Sequence, residues 1–426
     1  MIAEQAFERL LGLDDGWEVA GAEYETEGVG RFVLVVRETP RLWPKLGCPQ
    51  ATCGAEGITC YDHTPTRSWR HLDAFGKKTE ILCEPPRGCC PRCGQVFRVP
   101  VPWEGRGKHF TRDFEAFALT LMREMPMAKA SAILDEHDTR LWRLLFAHVD
   151  RAYAALELSN LVHLGVDELS CRKGHDYLSV FADLVERRVV FATEGKDHTV
   201  FERFAEEILK HNGHPKAVTQ VAMDMSAAYT KGAQENLGNA AIVYDKFHVV
   251  ALANGAVDEV RRDEAREGGA AVKAQLKRSL WLWRKNPENL TESEQARLEQ
   301  LDLKHLATGQ AYQMRLELQS IYQSRTIAKA RERWQDWIGW VRRKGARLGD
   351  LLAPMLRLAD TLEKHLEGVL AHWQEGLTTS FMEGLNSVFS AVKRKARGYR
   401  TSFYMITMLY FVAGKLAMPS ILFHSK

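Results

Sequence analysis

Between residues 161 and 244 short apolar runs alternate with amphipathic stretches, and this pattern limits the possible folds more than any other feature. Apolar runs of about four to eight residues bounded by turn residues are typical of buried strands, and longer amphipathic stretches are typical of helices. The predicted order is therefore β-β-β-α-β-α-β. The predicted strands are 161–167, 177–185, 188–193, 218–224 and 240–244, and the predicted helices are 199–211 and 226–236.

Three carboxylates lie at the ends of distinctive elements. Asp167 closes the first apolar run, Asp224 closes the fourth, and Glu383 opens an amphipathic helix much later in the chain. A sheet with the predicted strand order has its first and fourth strands as parallel neighbours, so Asp167 and Asp224 are expected to lie side by side. Strand end, strand end and helix start are where a ribonuclease-H-like nuclease core has its metal-binding acids.

The whole chain is predicted to be a multidomain α+β and α/β protein, because 426 residues exceed what one core usually holds. In this prediction a ribonuclease-H-like catalytic core is interrupted by an all-α insertion and preceded by a zinc ribbon and a helix-turn-helix domain. The predicted domains are an α+β lead-in at 1–45, the zinc ribbon at 46–105, the helix-turn-helix at 106–157, the first part of the core at 158–249, the helical insertion at 250–370, and the C-terminal helices with a basic tail at 371–426.

Seven of the eight cysteines fall between Cys48 and Cys93. Cys90-Pro-Arg-Cys93-Gly forms a tight knuckle, and Cys48-Pro-Gln-Ala-Thr-Cys53-Gly forms a slightly longer one. Two such knuckles separated by a strand pair predict a structural Zn²⁺ site closed by four sulfur ligands: Cys48, Cys53, Cys90 and Cys93. Alternative ligation, a weaker second site and apolar packing stay open for four other residues: Cys60, His63, Cys83 and Cys89.

Two predicted helices flank a polar turn at 136–138. The first covers residues 128–135, and the second begins near Thr139. Thr139 is a suitable N-cap for the second helix. This spacing predicts a helix-turn-helix in which Arg140, Trp142 and Arg143 face DNA. Simple packing of two helices remains the alternative for the same pattern.

The three carboxylates suit phosphodiester chemistry, which needs an activated oxygen nucleophile and relief of charge on the leaving oxygen. Hard ions such as Mg²⁺ or Mn²⁺ prefer oxygen ligands, so a few carboxylates suffice. We expect Asp167 to bridge two ions, with Asp224 and Glu383 each holding one. Asp245 and His248 follow the fifth strand, where His248 is expected to orient a phosphate or a carboxylate. Helix capping by Asp245 with a packed His248 is the alternative.

Basic residues accompany the proposed acids. The last 43 residues contain seven Lys or Arg and no Asp or Glu. Such a basic end suits a polyanionic substrate. Residues expected to contact the DNA backbone are Arg172, Lys173, Lys393, Arg394 and Arg397. Trp281 and Trp283 are open to base stacking or to core packing, and packing is the expected outcome.

These motifs, in this order, resemble those of the bacterial insertion-sequence transposases of the ISL-three family. The resemblance covers about residues 45–412. The matching segments are Cys48…Cys53…Cys90-Pro-Arg-Cys93-Gly, the helix pair near 128–148, Gly165-Val-Asp-Glu-Leu-Ser-Cys-Arg-Lys-Gly-His-Asp-Tyr, Val221-Ala-Met-Asp-Met-Ser-Ala-Ala-Tyr, Tyr244-Asp-Lys-Phe-His-Val, Lys285-Asn-Pro-Glu-Asn-Leu-Thr, Glu383-Gly-Leu-Asn and Lys393-Arg-Lys-Ala-Arg-Gly-Tyr.

The resemblance implies a DDE transposase whose catalytic triad is Asp167, Asp224 and Glu383. The zinc ribbon and helix-turn-helix would read the terminal inverted repeats of the element, and the core would cut and join strands of double-stranded DNA, including target DNA. Asp245 and His248 look like the Asp-x-x-His string of several such families. Transposases of this class act as multimers on paired ends, so a homodimer or higher multimer is implied.

Two other functions stay open from the sequence alone. One is a zinc-ribbon and helix-turn-helix regulator without catalysis, and the other is another ribonuclease-H-like nuclease, such as a junction-resolving enzyme. No apolar stretch approaches the roughly 18 residues that span a membrane, and the N-terminus lacks a signal-peptide pattern. We therefore expect an intracellular, nucleoid-associated protein with no membrane partner.

Overall fold

The computed structural model of the chain describes residues 2–26, 30–170, 177–301, 305–373, 384, 387–393 and 399–419. It divides into two compact units, one of Met1–Ala155 with Leu416–Lys426 and one of Leu156–Lys415.

The first unit begins with helix α1 (Ile2–Leu10) and contains a four-stranded sheet. Its strands are β1 (Trp17–Glu25), β2 (Arg31–Glu38), β4 (Arg67–Ala74) and β5 (Lys77–Cys83). They lie in the order β1-β2-β5-β4, with β2 and β5 parallel and the other pairs antiparallel. The core of this sheet is aromatic, because Trp103 packs edge-on against both Trp17 and Trp69 at ring distances of 5.2 and 5.8 Å.

A smaller antiparallel sheet of the first unit consists of β3 (Thr59–His63), β6 (Pro86–Cys89) and β7 (Val96–Arg98). The two strands expected to separate the cysteine knuckles are β4 and β5. They belong to the four-stranded sheet instead, where β5 also pairs with β2. The physical reason is that Trp69 and Ile81 put a fully buried apolar face on that pair, and β1 and β2 complete the core that covers it.

Three helices complete the first unit: α2 (Arg112–Glu124), α3 (Met127–Leu134) and α4 (Asp138–Ala154). The turn between α3 and α4 passes through Asp135, whose φ of 49° lies in the left-handed region. The expectation that Thr139 caps the second helix is wrong. His137 is the N-cap, because its Nδ1 accepts a hydrogen bond from the Thr139 amide at 3.3 Å.

The second unit contains the alternating segment that the sequence predicts. Its strands are β8 (His163–Ser170), β9 (Tyr177–Asp183), β10 (Arg188–Glu194), β11 (Gln220–Met223) and β12 (Ala241–Tyr244), and its first helices are α5 (Thr199–Lys210) and α6 (Ala227–Asn236). The order in the sheet is β10-β9-β8-β11-β12. β8, β9 and β10 are antiparallel, whereas β11 is parallel to β8 and β12. The predicted parallel pairing of the first and fourth strands is confirmed.

The end of the first predicted strand differs most from the sequence prediction. Asp167 does not end its strand, because β8 continues to Ser170 and its last residues pair with β9. The antiparallel neighbour supplies hydrogen-bonding partners that are not visible in the apolar pattern of β8 alone. Helix α5 covers this sheet, with Phe204 stacked on Phe181 of β9 at a ring distance of 4.6 Å.

Residues 246–370 form helices and turns, and no strand occurs among those that the structure describes. The helices are α7 (Lys246–Glu267), α8 (Gly269–Leu276), α9 (Leu280–Arg284), α10 (Glu292–Glu299), α11 (Ala307–Ile321), α12 (Ile327–Leu348), α13 (Ala353–Lys364) and α14 (Leu366–Leu370). Trp283, Trp334 and Trp337 are buried among them.

Two helical stretches follow. Residues 387–393 are helical, and α15 (Ser402–Ala413) packs on the sheet, where the Tyr410 hydroxyl accepts a hydrogen bond from the Ala192 amide of β10 at 3.0 Å. Within the described part of the chain, no helix combines the length and apolar composition needed to cross a membrane.

Candidate functional site

Two carboxylates from neighbouring strands lie opposite each other in the second unit. In the parallel pairing of β8 with β11, Gln220 lies beside His163 and Ala222 lies beside Gly165. Continued by two residues, this register brings Asp224 opposite Asp167. Asp224 directly follows β11, and Asp167 lies within β8. The acids are therefore brought together by sheet pairing, although they are far apart in the chain.

Negative charge is concentrated at this edge of the sheet. Burial raises the pKa of Asp224, and the charge of Asp167 raises it further, although the Ser226 amide and His248 act in the opposite direction. That amide donates a hydrogen bond to Asp224 Oδ1 at 3.0 Å. Burial and the charge of Asp224 also raise the pKa of Glu168. Neighbouring carboxylates suit a divalent cation, which prefers oxygen ligands and relieves their mutual repulsion.

His248 lies beside this acid pair. Its Nε2 is 4.0 Å from Asp167 Oδ1, and its side chain is 39% exposed. The residue lies on the first turn of α7, whose N-cap is Asp245. Asp245 Oδ1 accepts a hydrogen bond from the Phe247 amide at 3.0 Å, so the alternative of helix capping by Asp245 is confirmed. The second half of that alternative, a packed His248, stays open, because the imidazole is only partly exposed and lies beside Asp167.

Glu168 and Lys196 are two site residues that the sequence reasoning missed. Lys196 Nζ lies 3.8 Å from Glu168 Oε2 and 4.0 Å from the centre of the Tyr177 ring. The position of Glu168 next to Asp167 was the one available signal. Lys196 carried no signal, because it reaches the site only through the pairing of β8, β9 and β10.

A cleft of about 690 Å³ opens beside Asp224 within the second unit. Its walls are the turn after β11, one face of α7 and one face of α13. The polar residues that line it include Asp224, Ser226, His248, Arg262 and Arg357. Arg357 forms an ion pair with Glu259 at 2.5 Å, and Arg262 lies 3.5 Å from Asp258. The cleft therefore extends from Asp224 and His248 into a groove between two helices, with both polar and apolar walls.

Several predicted residues lie outside the described part of the chain, namely Arg172, Lys173, Glu383, Arg394 and Arg397. Lys393 is described, and its Nζ donates a hydrogen bond to the carbonyl of Ser170, the last residue of β8. Helical residues 387–393 therefore reach the end of the strand that carries Asp167.

In the first unit, four cysteines converge. The Sγ atoms of Cys48, Cys53, Cys90 and Cys93 all lie within 4.8 Å of one another. The closest pairs are Cys48 with Cys93 at 3.6 Å and Cys53 with Cys90 at 3.7 Å. This group, which we call the four-cysteine cluster, is compatible with the predicted zinc ribbon.

Burial and neighbouring thiols raise the pKa values of Cys48 and Cys53, although the backbone amides of Gln50 and Ala55 act in the opposite direction. Hydrogen bonds from the amides of Cys93 and Arg92 outweigh the effect of burial and lower the pKa of the Cys90 thiol to about 6. Gly54 and Gly94 follow the second cysteine of each knuckle, with φ of 59° and 71°. Glycine adopts such positive φ values without steric cost. The two knuckle loops therefore share the same turn after their second cysteine. The donor set and its supporting amides fit Zn²⁺.

The three residues of the helix-turn-helix that are expected to face DNA differ in their exposure and contacts. Trp142 is wrong as a DNA contact, because it is buried and stacks on Phe146 at a ring distance of 5.6 Å. Arg140 forms an ion pair with buried Glu136, and its guanidinium lies 4.7 Å from the centre of the Phe110 ring. Arg143 is exposed on α4 and remains a prediction.

The two tryptophans considered for base stacking also differ. Trp283 is buried and donates from Nε1 to Ser279 Oγ at 2.8 Å, which confirms core packing. Trp281 is 64% exposed, with the Arg284 guanidinium 5.5 Å from its ring centre, so packing is wrong for Trp281. Helical positions two residues apart face different sides, which accounts for the difference.

Comparison with known proteins covers most of the chain. A family model described as "Transposase" matches residues 164–409, and one described as "Helix-turn-helix domain of transposase family ISL3" matches residues 99–149. The chain is 27% identical over 417 residues to the "Transposase for insertion sequence element IS1001" of Bordetella parapertussis, covering 96% of this chain and 98% of the relative. It is 26% identical over 434 residues to the "Transposase for insertion sequence element IS1557" of Mycobacterium tuberculosis (strain ATCC 25618 / H37Rv), covering 94% of each.

Proposed function

Because the chain belongs to the ISL3 (ISL-three) family of insertion-sequence transposases, we propose that it binds the terminal inverted repeats of its element and cuts and joins DNA strands there by two-metal-ion chemistry. The observation that carries this proposal is the register that sets Asp224 opposite Asp167. In the proposal the five-stranded sheet is a ribonuclease-H-like core, and the helical residues 250–370 are an insertion into it.

Asp167 and Asp224 would hold the catalytic divalent ions, Mg²⁺ or Mn²⁺, with Glu383 as the third ligand. When bound, two such metal ions would polarise the phosphodiester and favour the ionised form of the attacking hydroxyl. The contact between Lys393 and the end of β8 supports this role for Glu383, because the sequence predicts one helix that contains both residues. Lys393 would also neutralise phosphate charge at that end of the strand.

His248 acts in this proposal as a positioning residue. Asp245 caps α7 and so fixes its first turn, which carries the imidazole to within 4.0 Å of Asp167. From there His248 can hold the carboxylate of Asp167 or a substrate phosphate in one orientation. Lys196, whose Nζ lies 3.8 Å from Glu168, adds positive charge near the same end of the sheet.

The first unit would read the DNA ends. The four-cysteine cluster would hold one structural Zn²⁺, and Arg143 would contact DNA from the exposed side of α4. Arg140 would contribute less free charge, because it is paired with Glu136. Further phosphate contacts are proposed for Arg172, Lys173, Arg394 and Arg397. A homodimer or higher multimer would bring two element ends and the target DNA together.

The test is cleavage of labelled end DNA by the full chain with Mg²⁺. We expect Asp167→Asn to abolish cutting and to leave end binding intact, since the charge that holds the ions is lost and the binding surface is not. The matched control is Glu206→Gln, which removes an exposed carboxylate of α5 outside the site. Cutting by Asp167→Asn at the wild-type rate would contradict the proposal.

The same assay separates the two alternatives. A regulator without catalysis would bind end DNA but show no Mg²⁺-dependent nicking in the wild-type chain. A junction-resolving nuclease would prefer branched DNA when branched and terminal-repeat substrates compete. We expect nicking, and we expect the terminal repeat to be preferred.

A further inference from the structure

Three potential metal ligands outside the four-cysteine cluster converge in the first unit. One ligand atom from each of Glu38, Cys60 and His63 lies within 4.8 Å of the others. His63 Nε2 and Glu38 Oε1 are 2.7 Å apart. The three residues come from two different sheets, because Glu38 ends β2 and the other two lie on β3. Sequence spacing alone does not bring them together.

A β-bulge in β3 explains why Cys60 and His63 share one face. Strand residues three positions apart normally point to opposite faces of a sheet. In β3, however, Cys60 pairs with Gly88 and Asp62 pairs with Arg87, so Tyr61 is an extra residue. An inserted residue reverses the alternation beyond it. His63 therefore returns to the face of Cys60.

The other face of β3 is already occupied, which supports this orientation. Arg87 Nε donates to Asp62 Oδ1 at 2.5 Å, and the guanidinium of Arg87 lies 5.4 Å from the centre of the Tyr61 ring. Tyr61 and Asp62 are thus both directed to Arg87, leaving Cys60 and His63 for Glu38.

The charge of Glu38 has little other compensation. No Lys or Arg nitrogen lies within 4.0 Å of its carboxylate in the part of the chain that the structure describes, and its ion-pair partner is His63. Its side chain is mostly buried, with 14% exposed, whereas Cys60 and His63 are more accessible. A surface His–Glu ion pair contributes little to folding stability by itself. Such a pair alone also gives no reason for a thiol to lie beside it.

We propose that Glu38, Cys60 and His63 form a second zinc site. Carboxylate oxygen, thiolate sulfur and imidazole nitrogen are the three ligand types that Zn²⁺ takes, whereas Mg²⁺ prefers oxygen alone. Tetrahedral ligands about 2.0–2.2 Å from zinc lie about 3.3 Å apart. Binding therefore requires His63 Nε2 and Glu38 Oε1 to move slightly apart from their separation of 2.7 Å. The fourth position stays open to water.

The consequence of this site is a link between two sheets. Glu38 belongs to the four-stranded sheet, and β3 belongs to the three-stranded sheet, whose strand β6 leads directly to the four-cysteine cluster. An ion held by all three residues would tie the knuckles to the larger sheet. Cys83 does not take part in this link, because it is buried in the apolar core of the larger sheet.

The test is the metal content of the full chain, measured by atomic emission after equilibration with zinc and an excess of Mg²⁺, which occupies the carboxylate site of the second unit. We expect one zinc ion more per chain than the four-cysteine cluster alone accounts for. Cys60→Ser and Glu38→Gln are expected to lose that extra ion and keep the other. The control Cys89→Ser removes a half-buried thiol of β6 that belongs to neither cluster, and it should retain both ions.

Cobalt spectra distinguish the two sites without relying on stoichiometry. Replacement of zinc by Co²⁺ should give the strong sulfur-to-metal bands of the four-cysteine cluster in every one of these variants, which also reports that the segment is folded. Cys60→Ser should lose only the weaker bands of the mixed site. Equal zinc content and equal spectra in wild type and Cys60→Ser would overturn the second site. That result would leave the proposed transposase function untouched, because catalysis does not depend on this ion.

Discussion

Asp224, the first residue after β11, lies opposite Asp167 of the neighbouring parallel strand β8. Burial raises the pKa of Asp224, and the charge of Asp167 raises it further. Such an arrangement costs folding free energy unless a cation neutralises it. Active sites commonly retain costly features of this kind because their function needs them.

Asp224→Asn is therefore expected to separate activity from stability. Mg²⁺-dependent cleavage of end DNA should fall at least about a thousandfold, which corresponds to about 4 kcal/mol of barrier. The Tm of the metal-free chain should not fall, because the repulsion is removed and the amide oxygen of Asn can still accept the hydrogen bond from Ser226. Cleavage rates and calorimetry of Asp224→Asn and Glu206→Gln check this. A loss of activity together with a clear drop in Tm would indicate a structural role instead.

Arg143→Ala should weaken DNA binding by the full chain in a salt-dependent manner. Loss of one phosphate contact lowers the slope of log K against log salt concentration by about 0.9. Arg151→Ala is the matched control, because Arg151 is an exposed arginine in the last turn of the same helix. Binding isotherms at several salt concentrations measure both variants. Equal slopes for Arg143→Ala and wild type would exclude a phosphate contact at Arg143.

His71 makes the stability of the first unit depend on pH. Burial lowers the pKa of His71 below its ordinary value of 6.5; the charge of Arg70 acts in the same direction and that of Asp113 opposes both. The unfolded chain therefore binds a proton at a higher pH than the folded chain does. Stability should be complete above about pH 6.5 and should fall as the pH drops below that value. Urea unfolding between pH 7.5 and about 5 measures this loss.

The control for that prediction is His71→Asn, which keeps a polar group near the Thr111 hydroxyl, the partner of His71 Nδ1 at 2.9 Å. The variant is expected to be less stable at neutral pH, but to lose less stability than the wild type when the pH is lowered through the same range. An unchanged pH dependence would show that another group is responsible.

Glu264 should be a strong stabilising residue of the helical region. Its buried carboxylate accepts hydrogen bonds from the amides of Ala307 and Thr308 at 2.7 and 2.8 Å, at the start of α11. Glu264→Ala leaves those buried donors without this partner and should cost about 2–4 kcal/mol of unfolding free energy. Glu264→Gln keeps one acceptor and should cost less. Denaturant unfolding of both variants tests the ranking, and a neutral Glu264→Ala would contradict it.

Much of the candidate site could be predicted from local patterns in the chain. The β-β-β-α-β-α-β order follows from apolar runs, and that order alone predicts that Asp167 and Asp224 are neighbours. The convergence of the four cysteines follows from two short knuckles of recognisable composition. In each case the information is local, because a strand, a helix or a tight turn is encoded by residues that lie within a few positions of one another.

Other features were decided by tertiary structure, because they depend on which surfaces need a partner. The strand pair at β4 and β5 joins β1 and β2 since Trp69 and Ile81 require a covered face. Lys196 reaches Glu168 only through the pairing of three strands. Glu38, Cys60 and His63 meet because a single bulge reverses the direction of one side chain. The amino-acid order determined the elements and their chemistry, and the packing of distant surfaces determined which side chains share a site.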